Sequence, residues 1–312
     1  MGTKKRLTMD VCDRLRNKLK EAVDRNPAGG ILLSGGLDTT ILAFVARPGV
    51  GFTVALKGSP ASDLVYSAKV ARLLGIRHIK MEFTLEQAIA ALPEVIAILK
   101  TFDLALPNDL SMYFALKLAG ENGISSIMTG DGADELFAGY SYMVKLPPED
   151  LERYIRRLSQ NLHFSANELG MALGIEVRQP FLDADFVHFA LKIRPEVKIQ
   201  DGVGKYILRK SFKGLLPSEI VWRRKEAIQF GSGSTRLHEI IEGMVTDEEF
   251  RSASSKVDIK LLNKEHFFYW RIYDGVVGKV VKAREGELGC PCCGAAIGTY
   301  HCPTCGFSRP IR

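Results

Sequence analysis

Gly30-Ile-Leu-Leu-Ser-Gly-Gly-Leu-Asp-Thr39 is the stretch of sequence that decides the fold. Its apolar beginning, residues 30–33, predicts a buried parallel strand, and the residues from 38 onward predict a helix. In the turn between them, glycines let backbone N–H groups surround an anion, and the helix N-terminus adds partial positive charge. Asp38 would repel a phosphate there unless Mg²⁺ lay between the two. The stretch therefore predicts a site for metal-bound pyrophosphate, with an ordinary strand–helix turn as the alternative.

Other nucleotide-binding motifs are absent from the sequence. Gly204-Lys205 and Gly278-Lys279 lack the hydroxyl residue that completes a phosphate-binding P-loop. No Gly-x-Gly-x-x-Gly follows a predicted strand. The sequence therefore argues against a Walker-type enzyme and against a dinucleotide-dependent dehydrogenase.

Apolar strands and helical segments alternate through the first half of the chain. This alternation predicts an α/β fold with a doubly wound parallel sheet, followed after about residue 150 by a mostly helical half. We expect Pro93 to interrupt or restart its helix, residues 101–110 to be a loop, and residues 231–235 to be a flexible lid or a linker. The predicted strands are 30–33, 51–56, 78–83 and 125–129, and the predicted helices are 10–25, 38–46, 62–74, 86–100 and 111–119.

Four ordered motifs reveal a family resemblance. They are residues 31–39, Met128-Thr-Gly-Asp-Gly-Ala-Asp-Glu-Leu-Phe-Ala-Gly-Tyr140, Glu176-Val-Arg-Gln-Pro-Phe-Leu-Asp183, and Gly204-Lys-Tyr-Ile-Leu-Arg209 followed by residues 216–225. Together they resemble the synthetase domain of asparagine synthetases, in the ATP-pyrophosphatase (PP-loop) superfamily. The same family includes β-lactam synthetase, and the superfamily includes tRNA-thiolating enzymes.

The resemblance implies an AMP-forming ligase that uses ATP and Mg²⁺. Such an enzyme adenylates an acceptor oxygen, for example the carboxylate of aspartate, and ammonia then displaces AMP to give an amide. The residues implied in catalysis are Asp38 and Asp134, which would share Mg²⁺, Asp131, which would handle the acceptor or its proton, and Lys225. The residues implied in binding ATP and pyrophosphate are Leu33, Ser34, Gly35, Gly36, Leu37, Asp38, Thr39, Gly130, Gly132 and Lys205.

Several of these positions have a physical interpretation of their own. Gly130-Asp131-Gly132 is the turn of a second strand–turn–helix unit, and we expect this turn at the same sheet edge as the first. Its acids could alternatively be helix caps, and Asp131 stands where many family members carry glutamate. A cation such as Lys225 would stabilise charge on leaving pyrophosphate. Lys205 and Arg209 are four residues apart on one helix face, so they could point together at the site or at solvent, and we favour solvent. We expect Arg178 and Asp183 to fix a loop.

The C-terminus carries two Cys-Pro-x-Cys-Gly turns. Each turn presents two thiolates, and two turns complete a tetrahedral metal site, as in zinc ribbons. The predicted ligands are Cys290, Cys293, Cys302 and Cys305, with Cys292 spare and His301 a distant alternative. Zn²⁺ is the expected ion, iron the main competitor and disulfides a further alternative. We expect Cys12 to be packed in the core.

These features predict three segments. Residues 1–274 form the synthetase-like domain, 275–289 a linker and 290–312 the zinc ribbon. Position 2 is Gly rather than the cysteine of an N-terminal glutaminase. The resemblance therefore implies free ammonia, a separate glutaminase partner or another nucleophile such as sulfide.

Composition bears on location and partners. No apolar run reaches about 18 residues, and the N-terminus lacks the pattern of a signal peptide, so we expect a cytoplasmic protein. The net charge of +6 and the basic clusters at 4–6, 153–157, 223–225 and 279–284 allow contact with RNA phosphates, and the zinc ribbon could contribute to such contact. Three functions follow: the amide ligase, an ATP-dependent tRNA-modifying enzyme on the same fold, and a non-catalytic nucleotide-binding scaffold. The acceptor, the nucleophile, the oligomeric state and the partner of the ribbon stay open.

Overall fold

A computed structural model describes residues 2–160, 162–297 and 301–309, and among them the side chains of residues 10 onward. The strands are β1 Gly30–Leu32, β2 Val50–Leu56, β3 Arg77–Phe83, β4 Ser126–Met128 and β5 Glu176–Arg178. The α-helices are α1 Gly2–Arg25, α2 Leu37–Ala46, α3 Ser62–Leu74, α4 Leu85–Leu99, α5 Leu106–Glu121, α6 Ala133–Phe137, α7 Pro148–Ser159, α8 Ser165–Ala172, α9 Ala184–Leu191, α10 Pro195–Lys198, α11 Tyr206–Phe212, α12 Ser218–Val221, α13 Ile228–Gly231, α14 Arg236–Gly243, α15 Asp247–Ser254 and α16 Lys264–Val276. Short 3-10 helices lie at Met143–Lys145 and Pro180–Leu182. Within these ranges no helix is both long and apolar enough to cross a membrane.

The five strands form a parallel sheet in the order β3-β2-β1-β4-β5, which confirms the predicted α/β fold class. β1 pairs with β2 and with β4, and every residue of β1 and β2 is buried, as expected for strands covered on both faces. The strand order reverses between β1 and β4. In such sheets, ligands bind beside the carboxyl ends of the strands at this switch point.

Three expectations about individual elements were wrong. β5 was not expected, because a three-residue strand with charged residues at both ends carries no apolar pattern. α4 continues through Pro93, since the burial of Leu92 and Val95 around it offsets the lost hydrogen bond. α5 begins at Leu106 within the expected loop, with Pro107 in the first turn, where proline is tolerated.

The chain divides into two compact units, each interleaved along the sequence. The first unit consists of residues 1–53, 62–81 and 115–226. Its core lies between α1, the sheet and the helices α2, α9 and α11, and it includes Leu15, Ile41 and Phe181. Cys12 is buried in this core, as predicted. Asp183 caps α9 and accepts a hydrogen bond from Arg25, so it fixes a chain segment, and Arg178 pairs with Glu176.

The second unit consists of residues 54–61, 82–114 and 227–312. α4 packs on α16, and Phe102 and Tyr273 meet edge to face with ring centroids 5.1 Å apart. Residues 231–235, expected to be flexible, are instead held in place. The hydroxyls of Ser232 and Ser234 are buried and both lie within hydrogen-bond distance of Ser111 Oγ. The division into residues 1–274, 275–289 and 290–312 stays a prediction.

Candidate active site and metal centre

The turn after β1 is held in a shape that suits an anion. Ser34 Oγ accepts a hydrogen bond from the Gly36 amide at 3.2 Å and lies 3.1 Å from Thr39 Oγ1. Gly35 has φ +69°, and a Cβ there would lie 2.3 Å from the Tyr66 carbonyl carbon, so only glycine fits. α2 begins at Leu37, and the first amides of a helix have no partner within the helix. Backbone donors of this turn are thus available to a phosphate.

Two of the residues predicted to bind ATP and pyrophosphate have side chains that lie in the core. The side chains of Leu33 and Leu37 are buried in the core of the first unit. Thr39, in the first turn of α2, is not in the core, and its hydroxyl lies within hydrogen-bond distance of the Ser34 hydroxyl. Of the side chains at the start of α2, those of Leu37 and Thr39 therefore support the turn.

Arg223 supports this turn, a role that the sequence analysis missed. Its guanidinium donates to the Ser34 carbonyl at 3.3 Å, to Ser62 Oγ at 2.8 Å and to Asp63 at 3.2 Å. It also covers the Tyr66 ring at 3.9 Å. Its side chain is only 8 % exposed, so within the basic cluster 223–225 this arginine is not free to contact RNA. Its place in the fourth motif was the available signal.

The second turn, Thr129–Gly132, leads from β4 into α6. Asp134 lies in the first turn of α6, where a carboxylate interacts favourably with the helix dipole. Gly130 lies against Asp38 and Thr39: a Cβ added at Gly130 would be only 3.2 Å from Asp38 Cβ. The two turns, predicted to share one sheet edge, are therefore in contact.

Two lysines meet the two carboxylates. Lys205 Nζ lies 2.5 Å from Asp38 Oδ2 and 2.7 Å from Asp134 Oδ1, and Lys225 Nζ lies 2.8 Å from Asp134 Oδ2. The expectation that Lys205 and Arg209 face solvent was wrong, since both are buried. Arg209 donates to the carbonyls of Val221 and Arg223, which ties α11 to the segment that carries Lys225. Residues four apart share a helix face, but the spacing does not say which face is buried.

The protonation of this cluster follows from its burial and its charges. Burial would raise the pKa of Asp134, but Lys205 and Lys225 hold it at about 2. Burial would lower the pKa of Lys205, but the carboxylates of Asp134 and Asp38 raise it. Burial raises the pKa of Asp38, against the opposing effect of Lys205. The four side chains form a charge-balanced cluster of two carboxylates and two ammonium groups.

The carboxylates retain capacity for a divalent cation. Asp38 Oδ1 is a buried oxygen without a hydrogen-bond partner within the described part of the chain, whereas Asp134 Oδ1 lies 2.7 Å from Lys205 Nζ. Hard cations such as Mg²⁺ bind carboxylate oxygens, usually through one or two carboxylates plus substrate phosphates. The two aspartates therefore fit the predicted magnesium site.

Asp131 is the fourth predicted catalytic residue, and it lies in the second turn. Its Oδ2 accepts hydrogen bonds from Thr129 Oγ1 at 2.7 Å and from Gln179 Nε2 at 2.9 Å. Burial raises its pKa, against the opposing effect of those two donors. Nearby, buried Glu135 accepts a hydrogen bond from Tyr140, whose ring lies 5.9 Å from Lys225 Nζ. Gln179, Glu135 and Tyr140 were not predicted as site residues.

The second unit contains the cysteine centre. The sulfur atoms of Cys290, Cys293, Cys302 and Cys305 all lie within 4.8 Å of one another, and all four residues are buried. Two of the sulfur pairs are 3.6 Å apart, close to the roughly 3.8 Å edge of a tetrahedron with Zn–S bonds of about 2.3 Å. All six cysteines are free thiols. The four predicted ligands therefore fit one tetrahedral metal ion.

The two cysteine turns have equivalent backbones and are tied to the rest of their unit. Gly294 and Gly306 each donate to the carbonyl of the first cysteine of their turn. The Thr304 carbonyl accepts from Phe102, and buried His266 lies 3.1 Å from the Cys305 carbonyl. Two alternative ligands point elsewhere: Cys292 Sγ donates to the Lys260 carbonyl at 2.8 Å, and His301 pairs with Asp103 at 2.9 Å.

Comparisons with known proteins agree with this picture. The sequence model of the asparagine synthase family matches residues 11–160 and 147–269. The asparagine synthetase (glutamine-hydrolyzing) of Mus musculus is 34% identical over 285 residues, which cover 83% of this chain and 50% of that protein. The probable asparagine synthetase of Schizosaccharomyces pombe is 32% identical over 312 residues, covering 84% and 56%. The chain thus spans about half the length of these relatives. NMN synthetase from Francisella tularensis matches with a TM-score of 0.39 and 13% identity over 89% of this chain and 98% of that one, a likeness too low to carry an argument.

Proposed function

Because this chain belongs to the asparagine synthase family, as its four motifs predicted, we propose that it is an ATP-dependent, AMP-forming ligase that converts a carboxylate into an amide. Aspartate is the proposed acceptor, and ammonia is the proposed nucleophile. The acceptor oxygen attacks the α-phosphorus of ATP and pyrophosphate leaves. Ammonia then attacks the acyl carbon, and AMP departs.

The observation that carries the proposal is the cluster of Asp38, Asp134, Lys205 and Lys225 beside the turn after β1. Separation of pyrophosphate develops negative charge on the leaving oxygens, and pre-positioned cations stabilise such charge most strongly where water is excluded. Lys205 is 2% exposed and Lys225 is 33% exposed. We therefore propose that Lys225 contacts the departing pyrophosphate. The more buried Lys205 pairs with the carboxylates of Asp38 and Asp134.

The remaining roles follow from the chemistry of each group. The peptide N–H groups at residues 37–39, in the first turn of α2, would bind the phosphates of ATP. Asp38 and Asp134 would hold Mg²⁺, which neutralises phosphate charge when bound. Asp131 would accept a proton from the incoming nitrogen, because ammonium must lose a proton before it can attack. Burial raises the pKa of Asp131, which makes its carboxylate a stronger base.

The cysteine centre is proposed to be a structural zinc site. Four thiolates without an open position are typical of structural rather than catalytic zinc. Iron is the competing ion, because four thiolates also suit it.

The proposed activity is tested by release of AMP and pyrophosphate from ATP–Mg²⁺. One reaction contains aspartate and ammonium, a second contains aspartate and glutamine, and a third contains bulk tRNA. Asparagine with equimolar AMP in the first reaction supports the proposal, and AMP only with tRNA replaces it with the tRNA-modifying alternative. The second reaction tests the nitrogen source. Absence of ATP turnover in all three would favour a nucleotide-binding scaffold.

A further inference from the structure

Two neutral donors converge on a single oxygen of Asp131. Thr129 Oγ1 and Gln179 Nε2 both donate to Oδ2, at 2.7 Å and 2.9 Å. No hydrogen bond to Oδ1 occurs among the described residues. Since an ionised carboxylate only accepts hydrogen bonds, the amide nitrogen of Gln179 must be the atom that faces it. One oxygen of Asp131 is thus anchored while the other is free to act.

The sheet explains why these residues meet. β4 and β5 are parallel neighbours with Met128 opposite Arg178, and the Thr129 amide donates to the Arg178 carbonyl at 3.0 Å. The chain therefore leaves both strands at the same edge and at the same level. Gln179 is the first residue after β5, just as Thr129 is the first after β4.

The backbone on both sides of this contact is held firmly. Pro180 follows Gln179 and disfavours helical backbone at that residue, which has φ −125° and ψ 76°. Gly132 has φ +93°, and a Cβ there would lie 2.3 Å from Leu182 Cδ2. The turn that carries Asp131 is therefore packed against the 3-10 helix that begins directly after Gln179. These contacts hold the backbones of Gln179 and Asp131 at a fixed separation.

We propose that Gln179 is a positioning residue for Asp131: its amide anchors Oδ2 so that Oδ1 is presented to the incoming nitrogen nucleophile. The role in catalysis rests on the proposed ligase function, whereas the anchoring itself does not. Asp131 is surrounded by charges from other elements, namely Lys225 on the segment before α13 and Asp134 and Glu135 on α6. Among these charges, the two neutral donors decide which oxygen stays free and favour the ionised carboxylate.

The test compares Gln179→Leu, which removes the donor at similar size, with Gln200→Leu, an exposed glutamine outside the site. Thr129→Val removes the other donor to the same oxygen. The carboxyl carbon of Asp131 is titrated by ¹³C NMR on the full chain, its resonance being assigned by its loss in Asp131→Asn. We expect Gln179→Leu and Thr129→Val to raise the pKa of Asp131 and Gln200→Leu to leave it unchanged. An unchanged titration in Gln179→Leu would overturn the anchoring, whatever the activity.

The same variants are then assayed for ammonium-dependent amide formation across pH. Loss of a hydrogen bond to an ionised group predicts a fall of about ten-fold in kcat/KM for ammonium at neutral pH. The acidic limb of the profile should move to higher pH, while the KM for ATP stays constant. If the wild-type chain is active and Gln179→Leu matches Gln200→Leu, the positioning role is wrong. If the wild-type chain releases no AMP, the proposed function fails, and the NMR titration alone decides the anchoring.

Discussion

The two candidate centres of this chain are assembled in opposite ways. In the first unit, Lys205 and Asp38 are 167 residues apart in sequence. They meet only because α11, which begins directly after Lys205, packs against α1 and α6. In the second unit, Cys290 and Cys305 are 15 residues apart, and short turns present them. The first centre balances its buried charges with its own lysines. The second has four thiols that an added cation would convert to thiolates. The comparison teaches that the first centre depends on the fold, and we expect part of the fold to depend on metal at the second.

The largest effect is expected from breaking the cysteine centre. Structural zinc sites in small domains contribute on the order of 10 kcal/mol to folding. Cys293→Ser should therefore abolish stoichiometric metal binding, measured by elemental analysis, and unfold the two turns at 290–294 and 302–306, measured by proteolysis. Its matched control is Cys292→Ser, since Cys292 donates to the Lys260 carbonyl, a bond that serine can replace. Equal metal content in both variants would contradict the assignment of ligands.

The next effect tests whether the first centre is balanced by its own charges. Lys205→Met leaves two buried carboxylates facing each other without their shared ammonium group. Removing one partner of a buried ion pair costs about 3–5 kcal/mol. The urea midpoint should fall accordingly and recover partly when Mg²⁺ is added. Lys213→Met, an exposed lysine, is the control. A variant as stable as this control would show that Lys205 does not balance the cluster.

A third change separates catalysis from folding at the same centre. Lys225 is 33% exposed, and it pairs with Asp134 at the more accessible side of the cluster. Lys225→Met should leave the unfolding midpoint nearly unchanged and lower kcat for AMP release by about 100- to 1,000-fold, the usual effect of losing one charge-stabilising donor. Lys213→Met again serves as the control. A fall of less than about five-fold would argue that Lys225 does not face the developing charge.

The sequence was most informative where a strand pattern and a motif coincide. The turn after β1 and the turn after β4 were both expected at one sheet edge, and Gly130 does lie against Asp38. The four cysteines were predicted from spacing alone, because both turns are local. Parallel strands bury continuous apolar runs, so β1 and β2 were recognisable without any tertiary information.

The failures have a common physical cause. Lys205 and Arg209 were expected in solvent, because their spacing shows only that they share a helix face. Long cationic side chains are rarely buried, but here tertiary contacts supply carboxylate and carbonyl partners. β5 is only three residues long, so nothing marked Gln179 as the end of a strand. Arg223 looked like part of a surface cluster, but it supports the carbonyl of Ser34. Each missed role depends on a partner far away in the sequence.

The smallest effect is expected from an ion pair inside the second unit, whose contribution to stability should depend on pH. His238 Nδ1 lies 2.6 Å from Glu265 Oε1, and the hydrogen bond to this buried carboxylate raises the pKa of His238. A raised pKa in the folded state means that the added stability is complete below the ordinary histidine pKa of about 6.5 and is lost as pH rises through the folded value. His238→Gln should therefore lower the free energy of unfolding by about 1 kcal/mol at pH 6 and by less at pH 8.5.

Urea unfolding at the two pH values measures this difference, and His188→Gln, which replaces an exposed histidine, is the control. The urea midpoint, followed with a probe in the second unit, should depend less on pH in His238→Gln than in the wild-type chain. In His188→Gln its pH dependence should be unchanged. In the first unit, by contrast, the pKa of Asp134 is held near 2 and that of Lys205 is raised, so neither of these two groups titrates over this range. An identical pH dependence in both variants would mean that the His238–Glu265 contact does not persist in solution.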